Sequence, residues 1–361
     1  MIVNKLAFKI SRKLTVIAGI TLIILGAIMY KTKWINRLLI SLVALWKEEI
    51  SPQYWTAKIQ MLGVDVLLIG IIIVVLGLLI FPRWTFLKQN KLVQLIGKIG
   101  VIWLLIVAKV FTFSNTVNEI DVLPSAKQFV APNWLSNDWY LNLDIGYRHV
   151  FNSILGTIVS WQGFQYGSYV ARLLVYLLLA IAIYILFRTL CLKFSFGLLI
   201  LLLFLGNQSL IAGEWIVGGV DTKTISYAFA ILSFSFFLRK RYLLGFAFAG
   251  AATSFHILVG IYALFCILVA TLLNKTWRLD WRRYIYNSWT FFITGFWGLQ
   301  AIVKQLLADS KVDAAKAWAI YVNFRVPHHV LPSSWNGYLW IAKLTLATAL
   351  FLTIYFWCKS L

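Results

Sequence analysis

The chain alternates long apolar runs with short polar segments, from Leu14 almost to its last residue. A membrane-crossing helix needs about 20 mostly apolar residues. Runs of that kind predict helices near residues 14–30, 61–81, 92–111, 168–187, 194–211, 222–238, 242–255, 257–273, 286–306 and 339–357. The stretch from Tyr242 to Leu273 is too long for one straight crossing at about 1.5 Å per residue. Ser254 to His256 is its only polar interruption, so the break is placed there. The pattern predicts an all-α, polytopic transmembrane helical bundle of about ten spans, with irregular and short helical outer loops. Residues 1–91 would hold two N-terminal spans around an interfacial segment at 31–60. Residues 92–361 would form a membrane core with outer loops at 112–167, 207–221 and 307–338.

Composition agrees with lipid as the solvent. Of the 361 residues, 61% are hydrophobic and 12% charged, a balance that does not suit a water-soluble domain of this length. The formal net charge of +21 would point to nucleic acid in a soluble protein. Its distribution points to a membrane instead, because short cytoplasmic loops are rich in Lys and Arg. With the N-terminus inside, the inner segments carry 17 of the 33 basic residues and one acid, Asp280. This predicts a multi-pass protein of the plasma (inner) membrane with both termini cytoplasmic, whose partner is the bilayer and not nucleic acid.

Three local features refine that reading. Lys5, Lys9, Arg12 and Lys13 precede an apolar run like a signal sequence, but no small-residue cleavage site follows before Tyr30, so the segment is expected to stay as an anchor. Ile35, Leu38, Leu39, Leu42 and Trp46 recur at helical spacing, the mark of a helix lying flat in the interface. Cys191, Cys266 and Cys358 have no paired spacing and read as small hydrophobes.

The outer loops hold the candidate chemistry, since loops of such length are usually functional. The first contains Glu119, Asp121, Asp138, Asp144, Arg148 and His149, interleaved with Trp134, Trp139 and Tyr140. Aromatics so placed suit a membrane interface or the stacking of a sugar ring. Glu119 and Asp121 directly follow an apolar run. Such a pair could bind a divalent cation, Mg or Mn, through hard oxygens, or one member could deprotonate a hydroxyl; a solvated helix end is the plainer alternative.

These residues carry a resemblance. The chain is similar to the GT-C superfamily of multi-spanning glycosyltransferases, which carry a modified DxD motif such as ExD in the first large outer loop; Glu119 to Asp121 matches it. The likeness runs loosely from Lys98 to Tyr338, and bacterial relatives of unassigned activity share it. It implies a polyprenyl-phosphate sugar as donor, an envelope glycan, lipid or protein as acceptor, and Glu119 or Asp121 as catalytic base or metal ligand.

Other residues add candidates for substrate binding. Arg172, like Lys109, Lys304 and Lys343, falls toward the outer end of an apolar run, where a phosphate would find a partner and where long side chains also snorkel. Lys223 stands in the second loop beside Gly213, Gly218 and Gly219, which permit close backbone approach to a ligand or a plain tight turn. The third loop sets Arg325, His328 and His329 around Pro327 and Pro332, a basic cluster fit for phosphate. His256, at the helix break, is a structural histidine or a site residue. Two competing functions stay open: a transporter or flippase of a lipid-linked or anionic solute, and a non-catalytic scaffold or degenerate relative.

Overall fold

A computed structural model describes Thr21 and residues 90–144, 146–206, 208, 215–274, 278, 281–308, 313–335, 341–346 and 348–349. The expected spans at 14–30 and 61–81, the interfacial segment at 31–60 and most of 339–357 lie outside the described residues. What is described is helical, with no strand among the described residues. In chain order the helices are α1 (Lys91–Val110), α2 (Val117–Val130), α3 (His149–Thr189), α4 (Phe194–Gly206), α5 (Thr222–Leu238) and α6 (Tyr242–Phe255). They continue with α7 (Ile257–Leu273), α8 (Trp281–Thr294), α9 (Phe296–Leu307), α10 (Ala314–Ile320), a π-helical turn (Tyr321–Arg325) and α11 (Pro327–Val330). The chain divides into two compact units, Met1–Phe111 and Thr112–Leu361. The first contains α1, opened by the Asn90 side chain, which accepts the Leu92 N–H.

Within the second unit, α6 is central, packed between α5, α8 and α7. Small and hydroxylated residues allow this close contact. Ser226 and Ser233 on α5 donate to the Ala252 and Gly245 carbonyls of α6. Thr290 and Thr294 on α8 donate to Leu243 and Ala247 of α6, and Ser254 returns a bond to the Thr294 carbonyl. Hydroxyl-to-carbonyl bonds between helices are the glue expected where lipid removes the hydrophobic drive to associate. The outward faces are apolar. On α7, Leu258, Tyr262, Phe265, Leu268 and Leu272 recur at helical spacing and are all exposed, opposite buried Val259, Ala263 and Ile267.

Among the described residues, two helices are long and apolar enough to cross a membrane, α1 and α3; α4, α5, α6 and α7 are shorter apolar helices. The 41-residue α3 is not straight. Gly163 lies at φ 75°, ψ 175°, a non-helical conformation open to glycine. Past it the chain folds back, so that the Cα of Val159 stands 3.0 Å from where a Cβ on Gly167 would be. The N-terminal half of α3 and all of α2 therefore fall in the loop expected at 112–167, which is mostly helical. The run expected at 286–306 is likewise two helices, α8 and α9, meeting at Gly295.

Candidate functional site

The site is built at the start of α2. Thr116 N-caps this helix, and Glu119, three residues on, turns back so that its Oε2 accepts the Thr116 N–H at 2.7 Å. The same carboxylate receives a two-pronged grip from Arg172, Nε to Oε1 at 2.6 Å and Nη2 to Oε2. Oε1 also accepts the Val220 N–H at 2.7 Å. The remaining guanidinium hydrogens go to the Thr112 carbonyl, the Thr112 hydroxyl at 3.2 Å and the Ser114 carbonyl at 2.8 Å. Glu119 is 0% and Arg172 1% exposed. Burial alone would raise the Glu119 pKa; the Arg172 fork and the Val220 and Thr116 N–H groups outweigh it and hold the carboxyl below its ordinary value.

This geometry corrects two expectations. Glu119 is not poised as a base or metal ligand, because every oxygen of its buried carboxylate is already engaged. Arg172 is not a phosphate ligand, because all five of its N–H donors are taken. One glycine of the second loop has a different task. A Cβ on Gly219 would stand 2.2 Å from the Thr116 hydroxyl and 2.8 Å from the Glu119 carboxyl carbon, so the close approach it allows is to this ion pair.

Asp121, two residues further along α2, faces the other way. Its Oδ1 accepts the Tyr140 hydroxyl at 2.5 Å, and its Oδ2 lies 3.7 Å from Arg148 Nη1, with 39% and 33% of the two charged side chains exposed. The bond to Asp121 is the main reason the Tyr140 phenol is pushed up, so it keeps its proton and donates. The charges of Arg148 and Arg325 both act on Tyr140 in the opposite sense. Burial works against the Arg148 cation, but Tyr147, Asp121 and Asp221 outweigh it and keep it protonated. Asp221 N-caps α5, accepting the Lys223 N–H, and its Oδ2 accepts from the Asn118 amide at 2.8 Å. His256 caps α7 between the two helices and meets the Tyr147 ring edge-on at 5.7 Å.

Asp121, Arg148 and His256 are thus gathered around Tyr140 and Tyr147, and the charge of Arg325 reaches Tyr140, while other expected site residues have contacts of their own. Asp138 closes a turn by accepting the Leu141 N–H. His149 stacks on Trp297 at 4.5 Å, with Phe129 at its edge. His328 and His329 contact each other, and His328 lends its carbonyl to the Trp335 indole. Lys223 occupies the first turn of α5. Because Glu119 and Asp121 diverge, they do not converge on one cation, and no cluster of three metal-ligating side chains occurs among the described residues.

An apolar groove of about 210 Å³ runs along α3 and α5. Phe151 and Leu155 from the N-terminal half of α3, Leu174 and Val175 from its C-terminal half, and Ile225 and Phe229 from α5 are among the residues that line it. Ala171, Val220 and Phe255 line it too, each one residue in sequence from Arg172, Asp221 or His256. The protein thus offers a partly exposed carboxylate and arginine at Asp121 and Arg148, and α3, which Arg148 N-caps, also lines a slot fit for hydrocarbon.

Tyr147 and Asp221 are site residues that sequence reasoning passed over. One signal for Glu119 was present: Thr116-Val-Asn-Glu119 is a capping-box pattern, which turns the glutamate toward backbone rather than substrate. Compared with models of protein families, with curated proteins and with solved structures, the chain matches none of them.

Proposed function

We propose that this chain is a polytopic membrane protein of about ten spans, with both termini cytoplasmic, that transfers a sugar at the outer face of a plasma membrane. The donor is a polyprenyl-phosphate sugar, and the acceptor is an envelope glycan, lipid or protein. The observation that carries this reading is the exposed pairing of Asp121 with Arg148, the N-cap of a helix, α3, that also lines an apolar groove. A lipid-linked substrate needs those two environments side by side.

Asp121 is the base in this scheme. An acceptor oxygen forms a bond to the anomeric carbon as the bond to the donor phosphate oxygen breaks. The acceptor proton passes to Asp121, and the lipid phosphate leaves as an anion that Arg148 and Arg325 neutralise. Glu119 and Arg172 act at one remove, fixing the start of α2 from which Asp121 projects. A divalent cation is not required by these roles.

The test is mass spectrometry of envelope glycans and glycolipids from cells carrying wild type, a deletion, or Asp121→Asn at matched protein abundance. Removal of a general base costs about 10²–10⁴ in rate, so one glycosylated species should vanish in both mutants. An Asp121→Asn profile identical to wild type would overturn the proposed chemistry. Reporter fusions at Asn137 and Lys240 check the topology, with outside and inside expected in that order.

A further inference from the structure

The loop between α2 and α3 is tied down more heavily than its exposure demands. The buried Gln128 amide donates to the Pro132 carbonyl and to Asn142 Oδ1, and accepts the Leu135 N–H. The Asn142 amide in turn donates to the carbonyls of Leu135, Ser136 and Asp138. Lys127 sits 4.3 Å over the Trp134 ring and 5.0 Å over Phe164. This frame holds out one large side chain: Trp139 is 77% exposed, braced edge-on at 5.8 Å by Tyr140. Tyr140 is the residue whose hydroxyl meets Asp121.

We infer that Trp139 and Tyr140 form a preorganised platform for a pyranose ring. The flat indole takes the C–H face of the sugar, and Asp121 and Arg148 take its hydroxyls. A rigid loop loses little freedom on binding, so a side chain held out in this way is more useful to a ligand than a mobile one. The loop's own composition favours a neutral, hydroxyl-rich ligand over anionic headgroups. No Lys or Arg occurs between Lys127 and Arg148, whereas Asp138 and Asp144 do, with Asn133, Asn137 and Asn142 exposed beside them. That the bound sugar is the acceptor rests on the transfer proposed above; that a sugar binds does not.

The experiment uses the full chain in nanodiscs and three neutral trisaccharides, maltotriose, cellotriose and chitotriose, followed by saturation-transfer NMR. At least one should receive saturation on its ring C–H protons. Trp139→Ala should weaken that binding by about tenfold and Trp139→Phe by less, because a smaller aromatic face is retained. A parallel measurement places brominated lipid in the disc and compares tryptophan emission of wild type with Trp139→Phe; Trp139 should contribute unquenched emission. Absence of binding by all three sugars, unchanged binding in Trp139→Ala, or bromine quenching of Trp139 overturns the platform. Failure here with Asp121→Asn still losing its glycan would strike the platform alone. Intact binding with no loss of glycan in Asp121→Asn would strike the transfer reading alone.

Discussion

Arg172 and Glu119, 53 residues apart in sequence, hold each other through two parallel bonds, and neither reaches solvent. The pair draws together the segment at 112–119, the part of α3 beyond Gly163 and the backbone at Val220. Removing one partner strands the other charge, which typically costs about 3–5 kcal/mol. Glu119→Ala and Arg172→Met should each lower the thermal midpoint of the purified protein sharply. The double variant Glu119→Leu with Arg172→Met should recover much of the loss, since no unpaired charge remains. Additive losses in the double variant would contradict this account.

The same pair gives stability a defined pH dependence. The Glu119 pKa is lower in the folded protein than the ordinary value of 4.5. The stabilisation is therefore complete above that ordinary value and is lost as pH falls through the folded one. Thermal midpoints recorded from pH 7 down to pH 3 should fall more for wild type than for Glu119→Gln, with the gap between them narrowing at the acid end. Parallel curves would show that Glu119 is not the group responsible.

At Gly219 a single methyl should be felt. A Cβ there meets the Thr116 hydroxyl and the Glu119 carboxyl carbon inside contact distance, and forced overpacking costs about 1–3 kcal/mol. Gly219→Ala should destabilise by that order in a thermal unfolding assay. Gly97→Ala, where the added atom has nothing within 4 Å, should be neutral or stabilising, because alanine favours the helix by about 0.5–1 kcal/mol.

The apolar groove can be filled from its exposed edge. Ile154 and Leu174 line it and are each 53% exposed, so Ile154→Trp and Leu174→Trp add bulk without disturbing the ion pair. Both should reduce the isoprenoid phosphate that copurifies with the protein, read by lipid mass spectrometry, at unchanged thermal midpoint. Equal lipid content in wild type and variants would remove the groove from the substrate path.

Much of the helical layout was legible because apolar runs and their interruptions have local causes. Tyr242 to Leu273 breaks at His256, where the only polar interruption occurs, and α5 fills the whole run expected at 222–238. The long segment at 112–167 was less legible. Its helices carry polar residues on an irregular pattern, and the reversal at Gly163 depends on one positive φ angle that no periodicity announces. The site was half legible. Asp121, Arg148, His256 and Arg325 stood out as polar residues in outer segments, yet which acid would be buried depended on Val220, 101 residues from Glu119.

The hydroxyl bonds among α5, α6 and α8 imply an uneven tolerance of mutation. Each accepting carbonyl of α6 or α8 belongs to a helix that supplies its own backbone partner, so replacing Ser226, Ser233 or Thr290 by alanine or valine orphans nothing. Such bonds between membrane helices average about 0.6 kcal/mol. The helix bundle can therefore absorb sequence drift one residue at a time. The assembly around Arg172 cannot, because losing any of its partners leaves a buried charge short of its bonds. Variation among functional copies of this chain should accordingly accumulate in the bundle while the residues at 112–121, 172 and 217–221 stay nearly fixed.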